Sequence, residues 1–313
     1  METTHDTRSG GRRRPGGKTS RGNRGEGTPS QSRPSPFLDA LEGNETVRAV
    51  ELRPPRVGLD RRDSLEAWID LEQGVRRLLA RDRFVLFTDD AVGDREEESL
   101  RVLTDSLGPG ADLSQVVPFL TCKHSLEYCT LFARRAQARG LGGLTVTGGD
   151  RSVGPPRCLP RSRDLRATLR DRLPALPLGA WVNPFRDPDG QAALLGETEH
   201  HAAYFLTQVV SHHDMDGLDR FRDAMEARDI RSPGLVGVFY YRSPNRKTLE
   251  HLSRFLPVPM EGLVREFEAG ASPQEICART LRALEARGVR KVYICNLKVE
   301  EAAQRLQEVE ALL

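Results

Sequence analysis

Long apolar runs are missing from this sequence. No stretch approaches the roughly 18 residues that a membrane helix needs, which excludes a helical span. No apolar stretch of signal-peptide length follows the basic amino terminus, so secretion has no support and a soluble, cytoplasmic protein is expected. Cysteine is scarce: Cys122, Cys129, Cys158, Cys277 and Cys295 are odd in number and lack paired spacing. That argues against a disulfide framework and fits reduced thiols. Aromatic residues make up only 6% of the chain, and none is interleaved with the arginines near the start. The stacking surface of a nucleic-acid-binding arm is therefore absent there, and the basic segment reads as a solvated extension.

What is present is unevenly distributed. Residues 1–36 hold eight Lys or Arg against three Asp or Glu, although the whole chain carries a net charge of only +2. This segment, with Arg12, Arg13 and Arg14 set among glycine, serine and proline, has almost nothing apolar to bury and is expected to be disordered. Residues 37–313 are long enough for one large core, and a barrel of about 250 residues suits that length better than two average domains.

From Phe37 onward, short β-branched or aromatic runs alternate with amphipathic stretches, as repeated β-α units require. Strands are predicted at Val47–Leu52, Phe84–Thr88, Val116–Leu120, Gly143–Thr147, Leu178–Val182, Tyr204–Val209, Leu235–Tyr240 and Lys291–Asn296. Helices are predicted over Leu65–Leu79, Leu126–Arg139, Leu165–Leu173, Leu218–Ala227 and Pro273–Arg287, where apolar residues recur at three- and four-residue steps. Asp63 with Ser64, Ser125 and Ser272 are the expected helix starts, and Gly140 and Gly288 the expected stops. The acidic run Asp94–Glu98 reads as a helix's first turn. A wide doubly wound sheet would carry a glycine-rich loop after its first strand; here that place holds Arg53-Pro-Pro-Arg56. An α/β fold of the (β/α)8 TIM barrel type is the remaining reading.

Such barrels place chemistry at the carboxyl ends of their strands. Those ends hold Glu51, Thr88 with Asp89 and Asp90, Thr121 with Cys122, Asp150, Asn183, Gln208 with His212 and His213, Tyr240 with Tyr241, and Asn296. Alternation puts Glu51 on the face of Ala49, inside the barrel, where desolvation would lift its pKa towards that of a general acid. The blander reading pairs Glu51 with Arg53 or Arg56 at the rim. Gly148-Gly149-Asp150 lets backbone approach a ligand beside a carboxylate, or is only a tight turn. The Gln208 amide can read a heterocycle edge with one donor and one acceptor, or be satisfied by nearby backbone. The spacing Cys122-x-His124-x4-Cys129 matches no common zinc pattern, so no metal site is assigned, while convergence with His212 and His213 stays open. His200 and His201 read as surface residues of a helix. Phe239 reads as packing, with the two tyrosines after it left open.

Taken in order, these motifs resemble the methylenetetrahydrofolate reductase family. Ala49-Val-Glu-Leu-Arg-Pro-Pro-Arg56 resembles its opening strand, Pro118-Phe-Leu-Thr-Cys122 its Pro-His-Leu-Thr-Cys, and Gly148-Gly-Asp150 its Arg-Gly-Asp. Asn183-Pro184, Leu206-Thr-Gln208 and Tyr293-Ile-Cys-Asn296 also match in order, and the resemblance covers about residues 45–298. It implies reduction of methylenetetrahydrofolate to methyltetrahydrofolate with NADH or NADPH through FAD. Glu51 would then be the proton donor, Asp150 would sit near flavin and pterin, and Gln208 would orient the pterin. Thr88, Thr121, Gly149, Asp150 and Asn183 fall at positions the resemblance assigns to the cofactor.

The departures cluster on the flavin. Phe119 replaces a histidine, Gly148 replaces an arginine, and Glu197 stands near the place of a lysine. Two lost cations and one gained anion should weaken a ligand with two phosphate charges, unless Arg151, Arg157, Arg161 or Arg163 compensates. Three readings follow: a flavin-dependent reductase, a flavin-independent barrel acting on methylenefolate, and a non-catalytic folate or pterin binder. All take a folate-type small molecule. Association of the chain with itself stays open.

Overall fold

The computed structural model describes residues 35–89, 96, 111–151, 154–197 and 202–313. Ser35 and Pro36 excepted, the expected tail lies outside them, as do His200, His201, Asp90 and most of the acidic run. Eight strands form a closed barrel in chain order: β1 Val47–Leu52, β2 Val85–Phe87, β3 Val116–Thr121, β4 Leu144–Thr147, β5 Leu178–Val182, β6 Tyr204–Val210, β7 Gly234–Phe239 and β8 Lys291–Cys295. Every pairing is parallel, and β8 closes on β1 through Ala49 opposite Tyr293. The described helices are α1 Pro36–Glu42, α2 Arg61–Leu79, α3 Leu126–Ala138, α4 Ser162–Arg172, α5 Pro188–Gly196, α6 Asp216–Glu226, α7 Arg246–Leu252, α8 Met260–Glu268, α9 Pro273–Glu285 and α10 Ala302–Glu310.

Period-two alternation separates two apolar layers. Val50 and Leu52 of β1 face the helices with Val85, Phe87, Val146 and Ile294. Val47 and Ala49 face inward with Leu86, Phe119, Leu206, Leu235 and Tyr293. Glycines on the inner wall make room for large rings: a Cβ on Gly179 would lie 2.3 Å from the Tyr204 ring, and one on Gly237 would lie 2.7 Å from Tyr293. α1 closes the amino-terminal end. Its Phe37 is fully buried and packs edge-on against Phe84 and Tyr204, at centroid distances of 5.2 and 5.0 Å. Ser35 caps α1 and donates to Gly142 O at 2.7 Å, while Lys291 donates to the closing carbonyls of Leu41 and Gly43.

Local signals explain the helix ends. Ser125 accepts from the Tyr128 amide, and Ser272 with Glu275 makes a full capping box ahead of Pro273. Gly140 and Gly288 take the left-handed conformation, at φ 69° and 75°, just past α3 and α9. α2 corrects the expectation for its start: the cap is Asp60, whose side chain accepts from the Asp63 amide, so the helix begins four residues before Leu65. The reason is that Arg61–Ser64 is a charged, solvent-facing first turn with no apolar periodicity to mark it.

Candidate functional site at the carboxyl ends of the strands

Glu51 continues the inward series Val47, Ala49. Burial raises its pKa from 4.5 to about 7, Arg53 opposes that rise and Glu96 adds to it. Its charge is felt by Tyr293 and Cys295 on β8, both inside the barrel. Arg53 Nε donates to Glu96 Oε1 at 2.8 Å, and the Thr88 hydroxyl donates to the other oxygen of Glu96 at 2.8 Å. The backbone of Glu96 pairs with that of Arg56 in an isolated antiparallel β-bridge, not in the helical first turn expected there, because its side chain is drawn inward to Arg53 and Thr88 and is only 3% exposed. The rim arginine thus engages Glu96, a residue not singled out from the sequence for the site.

β3 and β4 end side by side, with Thr121 opposite Thr147. Both hydroxyls are buried, and neither has a hydrogen-bond partner among the described residues. Buried hydroxyls are nearly always satisfied, so this pair marks a place where a ligand group would be received. The Thr121 amide donates to Asp89 at 2.6 Å, and the same carboxylate holds His124 Nε2 at 2.8 Å. Cys122 and Cys129 lie fully buried among apolar side chains, and Cys129 Sγ turns to Thr121 O. Among the described residues, neither His124 nor Cys122 falls in one cluster of metal-type ligands with His212 and His213.

Beyond β4, Gly149 has φ 65° and a Cβ there would fall 2.9 Å from the stem of Lys123, so the turn needs glycine on both counts. Arg157 lays its guanidinium over Gly148, 2.6 Å from where a Cβ would stand, and donates to Gly149 O at 2.5 Å. Asp150 is half-buried and adds its field to Arg157. Of the four arginines expected in this loop, Arg157 covers the space a side chain at 148 would take, whereas Arg163 lies in the first turn of α4 and is drawn to Glu197 at 2.6 Å.

Asn183 follows β5 and forms a turn, its side-chain oxygen accepting from the Phe185 amide at 3.0 Å while its own amide donates to Gln191. On β6 a register shift between Leu206 and Val209 marks a bulge. Thr207 shapes it: its hydroxyl accepts from Gly237 N at 3.0 Å, and its carbonyl accepts from the Tyr293 hydroxyl at 2.5 Å. Bulges re-aim side chains beside active sites. Here the bulged residue pair includes Gln208, whose oxygen accepts from Val209 N at 2.9 Å and whose amide donates to Phe255 O at 3.2 Å. Tyr240 packs outward against the helices, while Tyr241 turns inward and meets the Phe239 ring at a centroid distance of 4.8 Å, tilted by 48°. Asn296, at φ 67°, bonds Tyr240 O and Arg242.

A cleft of about 790 Å³ opens at the other end of the barrel, lined by Phe205, Phe221, Arg222 and Lys291 among others. It holds none of the strand-end groups, and a barrel of this type works at its carboxyl-terminal face, so the polar mouth is the better candidate.

No family model and no curated protein matches the chain. Solved structures do. An uncharacterized protein from Clostridium thermocellum that binds two copies of 5-methyl-5,6,7,8-tetrahydrofolic acid superimposes with a TM-score of 0.64 at 14% identity, over 88% of this chain and 98% of that one. The likeness is one of fold. An F420-dependent secondary alcohol dehydrogenase in complex with an F420-acetone adduct shares that fold at a TM-score of 0.52 and 11% identity, over 86% of this chain and 99% of the other. The TIM barrel expected from eight β-α units is thus the fold of this chain, and these structures share it.

Proposed function

We propose that this chain binds a reduced folate in the barrel mouth and reduces methylenetetrahydrofolate to methyltetrahydrofolate with NADH or NADPH. The observation that carries the proposal is Glu51: a carboxyl group on the inner wall, its pKa raised to about 7, is a proton donor suited to neutral pH. The barrel neighbour that binds the methyl form of the same pterin supports a folate ligand. The paired hydroxyls of Thr121 and Thr147 supply two unsatisfied groups to meet it.

In this reading protonated Glu51 gives its proton to the folate nitrogen as the bond from that nitrogen to the bridging carbon breaks. The iminium left on the other nitrogen accepts a hydride from the nicotinamide, which leaves as the oxidised form, and Glu51 regains its proton from solvent. Asp150 stabilises the developing positive charge, and Gln208 exchanges its backbone partners for the pterin edge.

The contacts around the expected flavin positions favour direct reduction over the FAD route. Thr88 donates to Glu96, which Arg53 also engages, and Arg163 is drawn to Glu197, so these groups are committed to one another at the positions where a flavin would be expected to take them. Arg157 keeps one guanidinium beside Gly148 for an anionic portion of folate or nicotinamide. The test follows NADH and NADPH oxidation with methylenetetrahydrofolate, with and without added FAD. Turnover without flavin is expected, with a loss of about 100-fold or more in Glu51→Gln. Strict dependence on FAD would restore the flavin route, unchanged turnover in the variant would remove Glu51 from its role, and tight methyltetrahydrofolate binding without turnover would leave a binding barrel.

A further inference from the structure

The turn leaving β6 carries two adjacent histidines and brings both against a carboxylate from α8. His212 Nε2 lies 3.1 Å from Glu266 Oε1, His213 Nε2 lies 3.1 Å from Glu266 Oε2, and the two ring centroids are 4.1 Å apart with the planes tilted by 35°. One ligand atom from each residue falls within 4.8 Å of the others. Gly262 leaves space for this, because a Cβ there would stand 2.6 Å from Nδ1 of His213.

On the far side of His212 the Thr280 hydroxyl, on α9, lies 2.9 Å from Nδ1 and 3.4 Å from Ile276 O. That hydroxyl serves either tautomer: with the ring hydrogen on Nε2, His212 is a donor to Glu266, and with it on Nδ1, Nε2 offers a lone pair that a metal can take.

We propose that His212, His213 and Glu266 form a site for a divalent metal of the zinc class, with a fourth position open to water. Bonds of about 2.0–2.1 Å at tetrahedral angles hold ligand atoms about 3.3 Å apart, close to the 3.1 Å between each imidazole and the carboxylate, and the three ligand atoms lie within 4.8 Å of one another. Two imidazoles and a carboxylate suit zinc, and Thr280 is the outer partner that orients the first imidazole. Arg279 donates to Glu266 Oε1 at 2.5 Å with its side chain 41% exposed, so it can turn to solvent when the metal takes over its charge. The bound ion would tie α8 to the exit of β6, the strand that presents Gln208.

The test adds Zn²⁺ to the full-length chain and measures binding by titration calorimetry, with the visible spectrum of the Co²⁺-loaded protein as the readout of geometry. One ion per chain and a tetrahedral Co²⁺ spectrum are expected, with affinity reduced about tenfold or more in His213→Gln and in Glu266→Gln. Circular dichroism of both variants without metal establishes that they fold. Absence of binding to the folded wild type, or affinity unchanged in both variants, overturns the proposal. Binding abolished by blocking thiols overturns it as well, since the ion would then lie on Cys158 or its neighbours.

Discussion

Removing a carboxyl group from water leaves a thermodynamic signature that does not depend on any reaction. In the folded chain Glu51 holds its proton up to about pH 7, whereas the unfolded chain releases it near 4.5. Its contribution to stability is therefore fully present below about pH 4.5 and is lost as pH rises through about 7, on the order of 3 kcal/mol in all, less any relief from partial exposure. Glu51→Gln should accordingly gain on the wild type between about pH 5 and pH 8, by about 1–3 kcal/mol in urea unfolding. A difference independent of pH would mean that the carboxyl stays hydrated. The inward placement of Glu51 was legible because strand alternation has a strict period of two. Its neighbour Glu96 was not, since that carboxylate arrives from a connection with no periodicity and sits against Thr88 only in three dimensions. Likewise four arginines after Gly148 announced a basic segment, but only the folded placement of the Arg157 guanidinium, over Gly148 and on Gly149 O, singles it out.

At the scale of elements, all eight strands lie within one residue or so of where β-branched and aromatic runs end, because glycine, proline or polar residues stand at most of their limits, as Pro177 and Asn183 do for β5. The bulge in β6 escaped, since Phe205-Leu-Thr-Gln-Val-Val210 reads as an uninterrupted strand and the cause lies on β7 and β8: Gly237 and Tyr293 take the hydroxyl and carbonyl of Thr207 out of the regular ladder. The glycines of the inner wall carry a comparable cross-strand logic. Gly179 and Tyr204 are register partners on β5 and β6, and the phenol fills the space a β5 side chain would occupy while bonding Thr145 at 3.0 Å. Gly179→Ala should force the ring and the β4 contact apart and destabilise the protein by about 1–3 kcal/mol, read as a lower urea midpoint with an unchanged slope. A neutral result would show that Tyr204 has another rotamer within reach, in which case glycine at 179 serves no packing purpose.

Across the whole molecule the barrel divides the work between its two ends, and that division can be tested without touching a site residue. The carboxyl-terminal end keeps buried hydroxyls and a raised carboxyl, groups that lower stability unless a ligand meets them. The amino-terminal end is closed by α1, where Phe37 fills the floor between Phe84 and Tyr204 and Lys291 fixes the last turn. Removing that ring leaves a cavity between Phe84, at the entry to β2, and Tyr204 on β6, which cannot collapse without moving strands. Phe37→Ala should therefore cost about 3–5 kcal/mol, measured by urea unfolding. Methyltetrahydrofolate affinity, measured well below the melting temperature, should change less than about threefold, because the closed ladder of eight strands holds the mouth in place whatever happens at the floor. A large loss of affinity together with the loss of stability would mean that disorder at the floor travels the length of the strands, and that the two ends are coupled through Tyr204 and Thr145 to Thr147 at the mouth.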